Sequence, residues 1–120
     1  MQNNNILEFL TKVEIFKGLN DNELGSFIPV LNNKQFLAGE FLFSEHSKKS
    51  DIFLIVEGGI ELFKRSPFGI EKRLTFFGKY DTLSESSILD DSPHSTNALA
   101  KFDTEVYTIS RKDFDQFFKE

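Results

Sequence analysis

KQFLAGEFLFSEHSKKSDIFLIVEGGIELFKR, residues 34–65, is the stretch that decides the fold class. Phe41 and Phe43 share one face of an extended chain, and Gly39 interrupts the apolar segments on either side of it, so Gly39-Glu40 reads as a bend. The polar run SEHSKKSD then reads as a loop. After it, Gly58-Gly59 separates two strand-like runs, IFLIVE and IELFKR.

The same period continues outward. SPFG at 66–69 places Pro second and Gly fourth, the chemistry of a type I turn, so strands near 60–65 and 70–77 are predicted to form a hairpin. Further strands are predicted near 96–102 and 104–109. Towards the amino terminus the period becomes helical: Ile6, Leu7, Phe9, Leu10 and Val13 mark one face of a short helix. A second helix is expected after Asn20, which can cap the first free amides while Glu23 reaches back. Leu24, Phe27, Ile28 and Leu31 form its apolar stripe, and Pro29 should kink or stop it. At the other end Ser110 and Asp113 have capping-box spacing, and Phe114, Phe117 and Phe118 make the apolar edge of a terminal helix. Short strands bracketed by helices imply a mainly β domain, an antiparallel β-roll or jelly-roll-like barrel with flanking helices, rather than alternating β-α units.

Composition bounds the function. One domain fits 120 residues, divided here into a helical part (1–33), a roll (34–109) and a terminal helix (110–120). Phe supplies fifteen residues against two Tyr and no Trp, so a few large rings are expected to fill most of the interior. The net charge of −5, with lysines and arginines scattered as Lys48-Lys49, Lys64-Arg65, Lys72-Arg73 and Arg111-Lys112, argues against direct nucleic-acid binding. Each basic pair reads as a solvated loop or strand end. The chain has no cysteine, hence no thiolate nucleophile or disulfide, and its longest strongly apolar run, Ile52 to Val56, is too short to span a bilayer. MQNNN lacks the features of a secretory signal, and a cytoplasmic domain is the expectation.

Two segments carry a family resemblance. AGEFLFSEHSKKSDIFLIVEGGIELF resembles the first half of a cyclic nucleotide-binding domain, and GKYDTLSESSILDDSPHSTNALAKFDTEVYTISRKDF resembles the second half, with its phosphate-binding cassette at 83–96. Together they run from about Ile15 to Phe118. In that family, free amides at a helix start cradle a cyclic phosphate, a Glu holds the ribose 2′-hydroxyl and an Arg pairs with the phosphate. The resemblance implies a ligand site over Leu83, Ser84, Glu85, Ser86, Ser87, His94, Ser95 and Thr96, with Glu85 at the ribose and cyclic AMP or cyclic GMP as candidate ligand. Pro93 and Ser95 also match the family pattern.

Two positions depart: Ser84 stands in place of a Gly and His94 in place of the Arg. An imidazole is mostly neutral near pH 7 where a guanidinium is always charged, so phosphate binding should weaken by roughly one to two powers of ten. If His94 supplies the charge, affinity should fall as pH rises through its pKa.

Other chemistries find less support. Asp90 and Asp91 read as a polar helix end. His46 and His94 stand 48 positions apart, without the paired histidines a metal-dependent cupin needs, so no metal is expected. No nucleophile elbow accompanies Ser86 or Ser87, so no catalytic residue and no enzyme is expected. The long dimer helix and helix-turn-helix of the family's transcription factors have no counterpart before Glu120, so direct transcription control is not expected. Two functions are compatible with these residues: a regulatory module that binds a small phosphorylated ligand and signals to a homodimer partner or a fused or associated effector, or a fold that has lost nucleotide binding and serves oligomerisation or interaction.

Overall fold

The structure, a computed structural model, describes residues 2–83 and 92–118, with side chains at 5–83 and 92–117. Helix α1 (Gln2–Thr11) and a 3₁₀ turn (Glu14–Phe16) lead to α2 (Asp21–Gly25), a second 3₁₀ turn (Ile28–Val30) and β1 (Asn32–Phe36). Seven strands follow: β2 (Phe41–Phe43), β3 (Asp51–Glu57), β4 (Ile60–Arg65), β5 (Glu71–Phe77), β6 (Thr82–Leu83), β7 (Asn97–Ala100) and β8 (Thr104–Ser110). Helix α3 (Arg111–Phe118) comes last. The strands form two antiparallel four-stranded sheets, ordered β1-β8-β3-β6 and β2-β7-β4-β5.

Strand β3 explains why residues 52–55 are apolar without interruption. Phe53 and Ile55 pack into the space between the sheets with Ile60, Leu83, Ala98 and Val106. Ile52 and Leu54, on the opposite face, pack beneath the helices with Phe9, Leu10, Val13, Phe16, Leu24, Phe27, Ile109 and Phe114. A strand covered on both faces has no place for polar alternation. Its partner β8 divides the same way, with Val106 inward and Ile109 towards the helices.

Local chemistry sets the element ends. The capping box at α2 is complete: the Glu23 amide donates to Asn20 Oδ1 at 2.8 Å, and the Asn20 amide donates to Glu23 Oε1 at 2.9 Å. This helix stops at Gly25, and Pro29 falls in the following 3₁₀ turn, where its fixed φ is tolerated. At α3 the Asp113 amide donates to Ser110 Oγ at 3.0 Å, and Phe114 packs against Phe16 and Phe27. The 66–69 turn closes with the Gly69 amide donating to the Ser66 carbonyl at 2.9 Å.

Three expectations needed adjustment. Strand β1 begins at Asn32, two residues ahead of the roll's expected start, because Asn32 and Asn33 pair with Thr108 and Tyr107 of β8. The strand expected at 96–102 is confined to Asn97–Ala100, since the Lys101 amide turns to the Gly59 carbonyl. The large rings do not all fill the interior: Phe68 at the hairpin tip is 91 % exposed, and Phe41, Phe76 and Phe102 also face solvent.

Gly58 joins β3 to β4 at φ +100°, and a Cβ there would lie 2.5 Å from Thr104 Oγ1 and 2.6 Å from the Asp103 carbonyl oxygen. Gly39 has a similar φ of +95° but open space around it. Gly39→Ala should therefore cost only backbone strain, on the order of 1 kcal/mol. Gly58→Ala adds a backbone clash and should cost about 3 kcal/mol or more. Urea denaturation midpoints of the two variants check the order; equal losses would contradict it.

Candidate functional site

The two sheets open beside β1 and β2, and a cavity of about 560 Å³ occupies the opening. That volume lies in the range of small-molecule sites, about 300–1,000 Å³. Phe36, Leu42, Phe43 and Phe53 form its apolar wall. Lys34, Lys48, Asp51 and the serines at 44, 47 and 50 supply its polar side, and His94 completes the lining. Lys34 Nζ stands 3.9 Å from Asp51 Oδ2 across the β1 and β3 ends.

His94 holds a particular geometry. Its ring lies flat on Phe43, with centroids 3.6 Å apart and planes 7° from parallel, and the residue is 5 % exposed. Phe43 in turn contacts Phe53, so residues 43, 53 and 94 meet at the pocket wall, while Leu83, the strand partner of Phe53, lies in the core behind it. The backbone clamps the ring in place: the His94 amide donates to the Ser47 carbonyl at 2.9 Å, and the His46 amide donates to the His94 carbonyl at 2.8 Å. Asn97 anchors the same loop, its Oδ1 accepting from the Glu45 amide at 2.8 Å. These bonds hold His46 at φ 75°, a left-handed conformation uncommon for a residue with a side chain.

Burial, and to a lesser extent the nearby Lys49 ammonium, lower the His94 pKa from 6.5 to about 4. At neutral pH the imidazole is therefore uncharged, and the partial charge asked of it in exchange for an arginine is absent. The remaining expected site residues fall as follows. Leu83 is buried in β6 as part of the roll's core; Ser95 is exposed and Thr96 half-buried at the start of β7. Ser84, Glu85, Ser86, Ser87, Asp90 and Asp91 lie outside the described residues. His46 is mostly exposed, 3.7 Å from Glu45, and among the described residues no three His, Cys, Asp or Glu side chains come together.

A second cavity of about 490 Å³ is lined by Glu40, Glu57, Asp103 and Glu105. Its carboxylates oppose an anion, and two are engaged by backbone: Glu40 Oε1 accepts from the Leu37 amide and Asp103 Oδ1 from the Ala38 amide. The first cavity is the better anion site on charge alone. Sequence reading missed Lys34, Phe43, Lys48 and Asp51 there, because only the tertiary arrangement of β1, β2 and β3 brings them to one mouth.

The sequence profile described as the cyclic nucleotide-binding domain matches residues 33–120. The chain belongs to the cyclic nucleotide-binding domain family. Among curated members of this family, the chain is 29 % identical over 103 residues to a CRP-like cAMP-activated global transcriptional regulator of Mycobacterium tuberculosis, covering 86 % of this chain and 45 % of the relative. It is 26 % identical over 100 residues to the cyclic AMP receptor protein of Thermus thermophilus, covering 83 % and 46 %. The chain thus spans less than half the length of these two relatives. The fold agrees with the sensor domain of the transcriptional regulator DNR from Pseudomonas aeruginosa, with a TM-score of 0.92, 17 % identity, and 99 % of this chain and 80 % of that one covered. It also agrees with the regulatory domain of Toxoplasma gondii PKA crystallised with cAMP, with a TM-score of 0.89, 19 % identity, and 98 % and 45 % covered.

The lowered His94 pKa makes stability depend on pH in a defined direction. The unfolded chain takes up a proton near pH 6.5 that the folded chain resists until about 4, so stability is full above 6.5 and declines as pH falls towards 4. His94→Phe keeps a ring on Phe43 and removes the titration. Its melting temperature should fall less between pH 7 and 4.5 than that of the unaltered chain; parallel profiles would contradict the assignment.

Proposed function

We propose that the chain is a regulatory ligand-binding module that takes a cyclic mononucleotide, cyclic AMP or cyclic GMP, at the mouth between its sheets and passes occupancy to a partner or fused domain. The observation that carries this reading is the cavity itself. One wall is aromatic and aliphatic, as a base requires, the other holds lysines and serines, as a phosphate requires, and His94 completes the lining. The place of Glu85 in the family pattern makes it the ribose contact in this reading.

Strand β3 is the route for signalling. Phe53 lines the cavity, while its neighbours Ile52 and Leu54 support the layer that seats α3 through Phe16, Phe27 and Phe114. A ligand that prefers one packing of this layer shifts its population by the difference in affinity between the two packings. The same reading assigns the chain no catalytic step; it senses.

Thermal shift and calorimetric titration with each nucleotide test the proposal. Ligand at a hundredfold excess over its Kd should stabilise the fold by about 2.7 kcal/mol, seen as a melting temperature several degrees higher. Glu85→Ala should weaken binding by roughly ten- to hundredfold if its carboxylate holds the ribose. Absence of both heat and thermal shift at millimolar cyclic AMP and cyclic GMP would overturn the reading.

A further inference from the structure

With residue 94 uncharged and stacked, the charge that answers a phosphate must come from elsewhere. Among the described residues, Lys34 and Lys48 face the cavity against a single carboxylate, Asp51, so the described charged side chains of the lining sum to +1. We propose that Lys48, in the loop between β2 and β3, holds the anionic group of the ligand, with Lys34 across the mouth as its second cation, and that residue 94 positions this loop rather than pairing with the ligand. The inference rests on the function proposed above and deepens it by assigning the phosphate contact.

Three observations converge on Lys48. First, its place is built. The neighbouring Ser47 carbonyl accepts from the His94 amide, the His46 amide donates to the His94 carbonyl, and the Glu45 amide donates to Asn97 Oδ1, so two backbone–backbone bonds and one backbone–side-chain bond fix the approach to residue 48. Second, its charge is uncommitted: among the described residues no carboxylate lies within ion-pair distance of Lys48, whereas Lys34 already has Asp51 at 3.9 Å. Third, the His94 ring spends its face on Phe43. A stacked, buried imidazole beside Lys49 is a poor place for a second positive charge, while an ammonium on a flexible stem at the rim reaches an anion without leaving water. Replacing a rigid bidentate fork with a point charge also relaxes the geometric demand on the phosphate.

The test measures binding of cyclic AMP, cyclic GMP and adenosine to the unaltered chain, Lys48→Ala and Lys48→Arg, with melting temperatures confirming that each folds. Lys48→Ala should weaken the better-bound cyclic nucleotide by roughly ten- to hundredfold and leave adenosine, which has no phosphate, unchanged. Lys48→Arg should restore binding to within about threefold of the unaltered chain, because the charge returns. Affinity should also be flat between pH 5.5 and 8, since lysine stays charged throughout. A cyclic nucleotide affinity indifferent to Lys48→Ala, an equal loss for adenosine, or affinity falling as pH rises across that range would overturn the assignment while leaving the proposed function standing. An unaltered chain that binds neither cyclic nucleotide would overturn the proposed function, and this assignment with it.

Discussion

Everything in this domain hangs on a strand that must be apolar on both faces. Ile52 and Leu54 are completely buried under the helical layer, and Ile55 is completely buried between the sheets with Phe53 beside it. Removing any one of these side chains would open a void between layers that cannot collapse independently, a change worth about 2–5 kcal/mol. The register that results also decides the pocket. With Phe53 inward, Asp51 falls on the same face two residues earlier and meets Lys34 of β1 at the open end of the roll.

The pocket then follows from the strand ends rather than from any one motif. Beyond Phe43 the chain leaves β2 and runs through a polar loop before it enters β3, so Ser44, Ser47, Lys48 and Ser50 collect at the cavity. Backbone bonds from residues 45–47 to His94 and Asn97 tie this loop to the start of β7. At position 94, where the sequence resemblance led to the expectation of a ligand contact, this chain stacks an uncharged ring on Phe43. That contact orders the loop, and Lys48 of the same loop faces the cavity.

Much of the fold was legible because its signals are local. Asn20 and Glu23 three positions apart in a box, Ser110 three before Asp113, the SPFG turn and the two strand-like runs on either side of Gly58-Gly59 each act within a few residues, and each formed where the spacing placed it. The two-residue strand β6 is too short to show a period and exists only because Leu83 pairs with Phe53. Phe9, Phe16, Phe27, Phe53, Phe63 and Phe114 are buried as a few large interior rings should be, while Phe76 and Phe102 lie exposed with their rings 6.4 Å apart. The site was legible in part. Leu83 and His94 were marked by their place in the family pattern, but the burial and neutrality of His94 come from Phe43 and Lys49, some fifty and forty-five residues away, and no spacing rule reports such contacts.

The central claim is that residue 94 is an uncharged packing group and that the pocket draws its charge from the loop. The most direct measurement is the ionisation of the His94 ring itself, followed by nitrogen-15 and carbon-13 chemical shifts of the imidazole from pH 8 to 4, with and without saturating cyclic AMP. The account expects a neutral ring at pH 7 in both states and a midpoint near 4 in the free protein. A ring that is already protonated near neutral pH, or that takes up a proton when the nucleotide binds, would contradict it.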